Sequence, residues 1–238
     1  MVHKELRVLV DCVIYTVLVF VATIIIQIQT PATGGYLNLG ESMIYVAAIL
    51  SSPLVAGIAG GVGASLADIV TGYSIFAPGT LVIKFIEGLV VGLLFSKLSK
   101  LRKFSFITGL ALATAFSLVS IYIGLLGIEI TLGYGDYIIN ISFQPVVWVT
   151  IAFLVFLLIL AISCMERGLR NVKVISMICG GSLMVLGYFL YEFFISNPLT
   201  GREPIAALAE VPGNISQMVM GIIIALPLVE FIERASRR

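Results

Sequence analysis

ESMIYVAAILSSPLVAGIAGGVGASLADIVTGYSIFAPGTLVIKFIEGLVVGLLFSKLSKLRK, residues 41–103, decides how this chain is folded. The stretch is apolar almost throughout, yet Pro53, the glycines of 57–63 and the polar turn 73–78 cut it into pieces. Read as helices near 41–52, 54–72 and 79–96, it places Ser51 and Ser52 before the second piece and Pro53 in its first turn, the usual position for a helix-starting proline. It closes on Lys97, Lys100, Arg102 and Lys103. The piece 41–52 rises only about 18 Å at 1.5 Å per residue, short of the roughly 30 Å of hydrocarbon in a bilayer.

The rest of the chain explains why a bilayer enters the reading. Hydrophobic residues make up 60% of its 238 positions and charged residues 11%, where soluble domains carry about 25% charge. The mean hydropathy is +1.13, more apolar surface than a globule of this size can hide from water. Runs 8–28, 105–127, 143–163, 173–195 and 214–232 each have about the 20 residues that a span needs. The run at 8–28 has no small-residue cleavage site and reads as a retained first helix.

Charge then arbitrates the topology. Twelve of the 14 basic residues fall in four segments: Lys4 and Arg7, 97–103, 167–173, and 234–238. With eight helices these segments share one face, which the excess of Lys and Arg assigns to the cytoplasm together with both termini. Merging 41–72 into one span would put the 97–103 cluster outside. The expectation is therefore an all-α, multi-pass bundle in one membrane domain without repeats or linkers.

The ionisable residues inside the spans are not scattered. Each costs several kcal/mol in lipid unless paired or wet, and so is a functional candidate. Glu41, Asp68, Lys84, Glu87, Glu192, Asn214 and Gln217 all map to the outer half under this topology. Helical spacing pairs Glu41 with Tyr45, Lys84 with Glu87, Tyr188 with Glu192 and Asn214 with Gln217. Tyrosines and amides beside a few charges suit a pocket that stacks on a polar ring and hydrogen-bonds its edges. Plainer roles compete. Glu41 offsets a helix dipole, Asp68 and Lys84 form a structural ion pair with Glu87 as second partner, and Tyr36, Tyr73, Tyr188 and Tyr191 belong to an interfacial belt. Gly57 and Gly61, and Gly88 with Gly92, form GxxxG faces for close helix packing or for a partner subunit.

Catalysis finds no support. His3 is the one histidine, there is no HExxH or Walker lysine motif, and Gly63-Ala64-Ser65-Leu66-Ala67 lacks the last glycine of a nucleophile elbow. Cys12, Cys164 and Cys179 lie singly in apolar runs, so no metal or redox cofactor is expected and the cysteines read as packing residues. Active transport then needs an external motor. The competing transport reading is a self-contained proton-coupled secondary transporter or channel working through Asp68, Glu87 and Glu192, and a third reading is a scaffold.

Several blocks, in order, resemble one family: Leu37-Asn38-Leu39-Gly40-Glu41, Pro53-Leu54-Val55-Ala56-Gly57 through Ala67-Asp68, Tyr73, Ala77 through Lys84, and Glu87-Gly88. Gly187-Tyr188-Phe189 to Glu192 and Ala209 through Gln217 continue it. Together they resemble the substrate-binding S-components of energy-coupling factor (ECF) transporters, particularly the riboflavin, pyridoxine and hydroxymethylpyrimidine type. The resemblance implies a six-helix vitamin-binding subunit with an outward-opening pocket and the loop after helix 1 as its lid. It also implies a transmembrane coupling subunit and two ATPase subunits as partners, the binding subunit toppling in the membrane to release a small vitamin or precursor. The expected pocket residues are Asn38, Glu41, Tyr45, Asp68, Lys84, Glu87, Tyr188, Glu192, Asn214 and Gln217. Members usually carry Asp where this chain has Glu41. Residues 104–170 add an inserted two-helix hairpin and an outer loop, Glu129 to Ser142, to a core of 1–103 and 171–238.

Overall fold

The computed structural model describes residues 2–30, 34–99, 129–134, 137–142 and 169–236, with 114, 117 and 118. The chain divides into two compact units, Met1–Ser96 with Ser176–Arg238, and Lys97–Ile175.

In the first unit, α1 (Val2–Ile25) leads into an antiparallel pair, β1 (Gln27–Thr30) and β2 (Gly35–Asn38), and then α2 (Gly40–Leu50), α3 (Pro53–Val70) and α4 (Ala77–Leu98) follow. Helix α5 (Leu169–Tyr191) enters this unit at Ser176 and runs without a break into a π-helical turn, Glu192–Ser196. A short turn at Asn197–Leu199 and a 3-10 turn at Pro204–Ala209 precede the last helix, α6 (Val211–Ala235). Among the described residues four helices are long and apolar enough to cross a membrane: Glu5–Ile25, Pro53–Val70, Leu169–Leu199 and Pro204–Ala235. In α1 only 11% of the apolar window is buried, an outward surface that lipid accepts and water does not. This is a helical membrane protein.

Local chemistry sets the boundaries. Pro53 occupies the first turn of α3, where its missing N–H costs nothing, and Ser52 caps the helix by accepting from Val55 N at 3.3 Å. Ser51 instead donates to Asp11 Oδ2 at 2.8 Å, tying the α2–α3 turn to α1. Small residues then bring the helices together. A Cβ on Gly61 would meet the Leu81 carbonyl at 2.6 Å and one on Gly57 the Phe85 carbonyl at 3.0 Å. From α4, Gly88 abuts the Ala56 carbonyl and Gly92 the Pro53 backbone. The GxxxG faces are thus spent inside the bundle on the α3–α4 contact. Gly63 does the same against Thr16 of α1, and Gly221 lets α6 lie on Glu41 and Tyr45 of α2. Tyr45, Ala47, Met177, Ala225 and Val229 fill the centre.

Two features depart from the sequence reading. The helix expected over 8–28 ends at Ile25, because Gln27-Ile28-Gln29-Thr30 alternates polar and apolar residues and pairs as a strand, Gln27 opposite Asn38 and Gln29 opposite Tyr36. Gly34, at φ +73°, supports the return. The second unit holds another antiparallel pair, β3 (Glu129–Tyr134) and β4 (Tyr137–Ser142), over the segment expected to be an outer loop. The spans expected at 105–127 and 143–163 lie outside the described residues, apart from helical Thr114, Ser117 and Leu118.

Candidate functional site

The ends of the helices that meet at the β1–β2 hairpin carry the buried polar residues of the first unit. Asn38 closes β2 and turns the chain into α2, its Oδ1 accepting from Gly40 N at 2.8 Å. Its own N–H donates to Gln217 Oε1 at 3.1 Å, and Gln217 Nε2 donates to Glu41 Oε1 at 2.9 Å. One amide thus bridges the hairpin to the first turn of α2. Glu41 forms an ion pair with Lys84, whose Nζ also lies 3.4 Å from Glu87 Oε2. Tyr45 donates to the other Glu87 oxygen at 3.0 Å. The result is a line of polar groups running from the hairpin into the core, in which one lysine is held by two carboxylates. Such a group is costly to desolvate and holds only because every member is engaged.

A second cluster faces it. Tyr36 donates to Asp68 Oδ1 at 2.5 Å, and its ring lies 4.3 Å from that of Tyr73. Burial and the neighbouring Asp68 carboxylate push the Tyr36 hydroxyl above its ordinary range, so it stays protonated and donates. Tyr188 exchanges a 3.0 Å hydrogen bond with Thr80 and carries Lys84 Nζ at 5.4 Å from its ring centroid. Tyr191 donates to the Ile75 carbonyl at 2.6 Å and lays its ring on Gly79, which fastens the end of α5 to the start of α4. Glu192 opens the π-helical turn that follows and is 2% exposed.

Between the clusters lies a cavity of about 30 Å³. At roughly 10–15 Å³ per water, a ring compound enters only if the walls part. Seven of the ten residues expected from sequence line it: Asn38, Asp68, Lys84, Tyr188, Glu192, Asn214 and Gln217. Glu41, Tyr45 and Glu87 stand behind the wall, fully buried, where they hold Lys84. The expected Asp68–Lys84 pair is replaced among the described residues by Lys84 with Glu41 and Glu87, while Asp68 takes the Tyr36 hydroxyl. Asp68 Oδ2 and Glu192 Oε2 are buried without a hydrogen-bond partner among the described residues. So is Glu41 Oε2, behind the wall.

Sequence reasoning missed Tyr36, Phe76, Thr80 and Glu210, which also line the cavity. Tyr36 had a usable signal. In a strand, residues two apart share a face, so Tyr36 belongs with Asn38 once β2 is recognised.

Comparison with known proteins adds two findings. A family described as "ECF-type riboflavin transporter, S component" matches residues 4–164 and 133–234. An "Uncharacterized protein in gap 3'region" of Pyrococcus woesei is 53% identical over 74 residues, 31% of this chain and 49% of that protein. The chain spans about half the length of that curated relative.

Proposed function

Because this chain belongs to the S components of ECF-type riboflavin transporters, a transport family and not a catalytic one, we propose that it is the subunit that captures a small water-soluble vitamin or precursor for import. The ligand is a ring compound with hydroxyl groups, of the pyridoxine, hydroxymethylpyrimidine or riboflavin kind. Its site is the cavity beneath the β1–β2 hairpin. Asn38, Asp68, Lys84, Tyr188, Glu192, Asn214 and Gln217 contact it, while Glu41, Tyr45 and Glu87 hold Lys84 in place. The observation that carries this reading is the pair of buried cavity carboxylates, Asp68 and Glu192, each with an oxygen free of hydrogen bonds among the described residues. A buried acceptor without a donor costs about 1–3 kcal/mol, and a ligand hydroxyl or N–H removes that cost.

In this reading the hairpin swings away to admit the ring and closes over it, with Tyr36 and Asn38 on its inner face. The termini are cytoplasmic and the cavity opens outward. The core comprises 1–103 and 171–238, and 104–170 is an inserted helical hairpin that brings the count to eight. An ECF coupling subunit and two ATPase subunits drive transport, since the chain has no nucleotide-binding motif of its own. Native mass spectrometry of the purified chain tests this: a vitamin-sized ring compound should co-purify. A folded sample that carries none and binds none of a vitamin panel overturns the proposal. Sustained concentrative uptake by the chain alone in liposomes would return the self-contained carrier to first place.

A further inference from the structure

The charge around the cavity is lopsided. Glu41, Asp68, Glu87, Glu192 and Glu210 are each 3% exposed or less, against one buried lysine, Lys84. Glu41 and Glu87 already engage that lysine. Arg202 sits at the exposed rim, where its guanidinium donates to Thr200 at 2.9 Å and acts on Glu192 from outside the cavity. Asp68 has the Tyr36 hydroxyl, a neutral donor.

The same walls present the faces of Tyr36, Phe76 and Tyr188. Lys84 lies against the Tyr188 ring, so this aromatic surface already accommodates a cation. No three His, Cys, Asp or Glu side chains among the described residues gather as a metal would require. Carboxylates spread around aromatic faces recognise an organic cation: its charge offsets theirs, its N–H groups meet the free oxygens, and its ring lies on the tyrosines.

We propose that the site selects ring compounds bearing a positive charge over neutral forms of the same ring, and rejects phosphorylated forms. The inference rests on the cavity being the substrate site and narrows what it takes. A neutral hydroxyl satisfies one acceptor but leaves the excess of carboxylates unbalanced. A phosphate adds like charge beside Glu192 and Glu210, where nothing screens it.

Titration calorimetry on the full chain in detergent at pH 7 tests it with pyridoxamine, pyridoxine and pyridoxine 5′-phosphate, three charges on one ring, together with thiamine and riboflavin. Pyridoxamine should bind about tenfold tighter than pyridoxine, thiamine more tightly than riboflavin, and the phosphate not at all. Asp68→Asn and Glu192→Gln, checked for folding by melting temperature and elution volume, should each shrink that preference to about threefold or less. If pyridoxine or riboflavin binds as tightly as the cations, or if both variants keep the preference, the charge selection is wrong and the substrate site stands. If none of the five binds to folded protein, the substrate reading falls and takes this inference with it.

Discussion

Replacing Lys84 by methionine keeps the length of the side chain and removes its charge, leaving Glu41 and Glu87 facing each other in a fully buried place. Removing one partner of a buried ion pair costs about 3–5 kcal/mol, because the orphaned charge has lost both water and its counter-ion. Here two carboxylates are orphaned, so the upper part of that range applies. At roughly 2–4 °C per kcal/mol for a chain of this size, Lys84→Met should lower the melting temperature by about 6–20 °C. The cause is testable by a second substitution. Adding Glu41→Gln removes one of the two charges while its amide can still accept from Gln217, and the double variant should recover roughly 1–2 kcal/mol. Ligand-free melting curves of the wild type, the single and the double variant in one detergent give both numbers. A single variant melting within about 2 °C of wild type, or a double variant no better than the single, would refute the view that paired charge holds this end of the bundle together.

Other expectations follow from neighbouring contacts. Tyr45→Phe deletes the 3.0 Å donor to Glu87 without changing packing volume, and should cost about 1–3 kcal/mol, read in the same melting assay. Gly88→Ala puts a Cβ within 3.0 Å of the Gly57 backbone nitrogen and closer still to the Ala56 carbonyl. Neither atom can rotate away, so a loss of about 1–3 kcal/mol is expected. Gly72→Ala meets nothing within 4 Å but must adopt φ +91°, so its cost is backbone strain of about 1–2 kcal/mol without any change in helix packing. Comparing the two by cysteine crosslinking between α3 and α4 separates a packing defect from a turn defect, since only Gly88→Ala should alter the crosslinking yield.

What could be read from the sequence was whatever depends on length and period. Pro53 and Ser52 located the start of α3, and the convergence of Asp68, Lys84, Glu192 and Gln217 followed from counting how often the chain turns back. Pairing was harder, because it depends on how closely the helices approach. Lys84 reaches Glu41 and not Asp68 partly because Gly60 and Gly61 seat α3 against the Lys84 and Leu81 carbonyls. No spacing in α4 alone announces that. The β1–β2 hairpin was hidden for another reason: four alternating residues directly after an apolar helix look like its last turn. Tyr36, read as an interfacial anchor, reaches Asp68 because of that hairpin.

The π-helical turn at Glu192–Ser196 has a bearing on how this segment can change. Such a turn fits one more residue into the helix than an α-helical turn holds, and these bulges are frequent at functional sites. Deleting any one residue from 192–196 would restore a plain α-helix and swing everything beyond it by about 100°. Asn197, whose carbonyl receives Arg202 N at 2.9 Å, would then face elsewhere, and the rim with it. Substitutions in this stretch can be graded, but a change in its length is all or nothing.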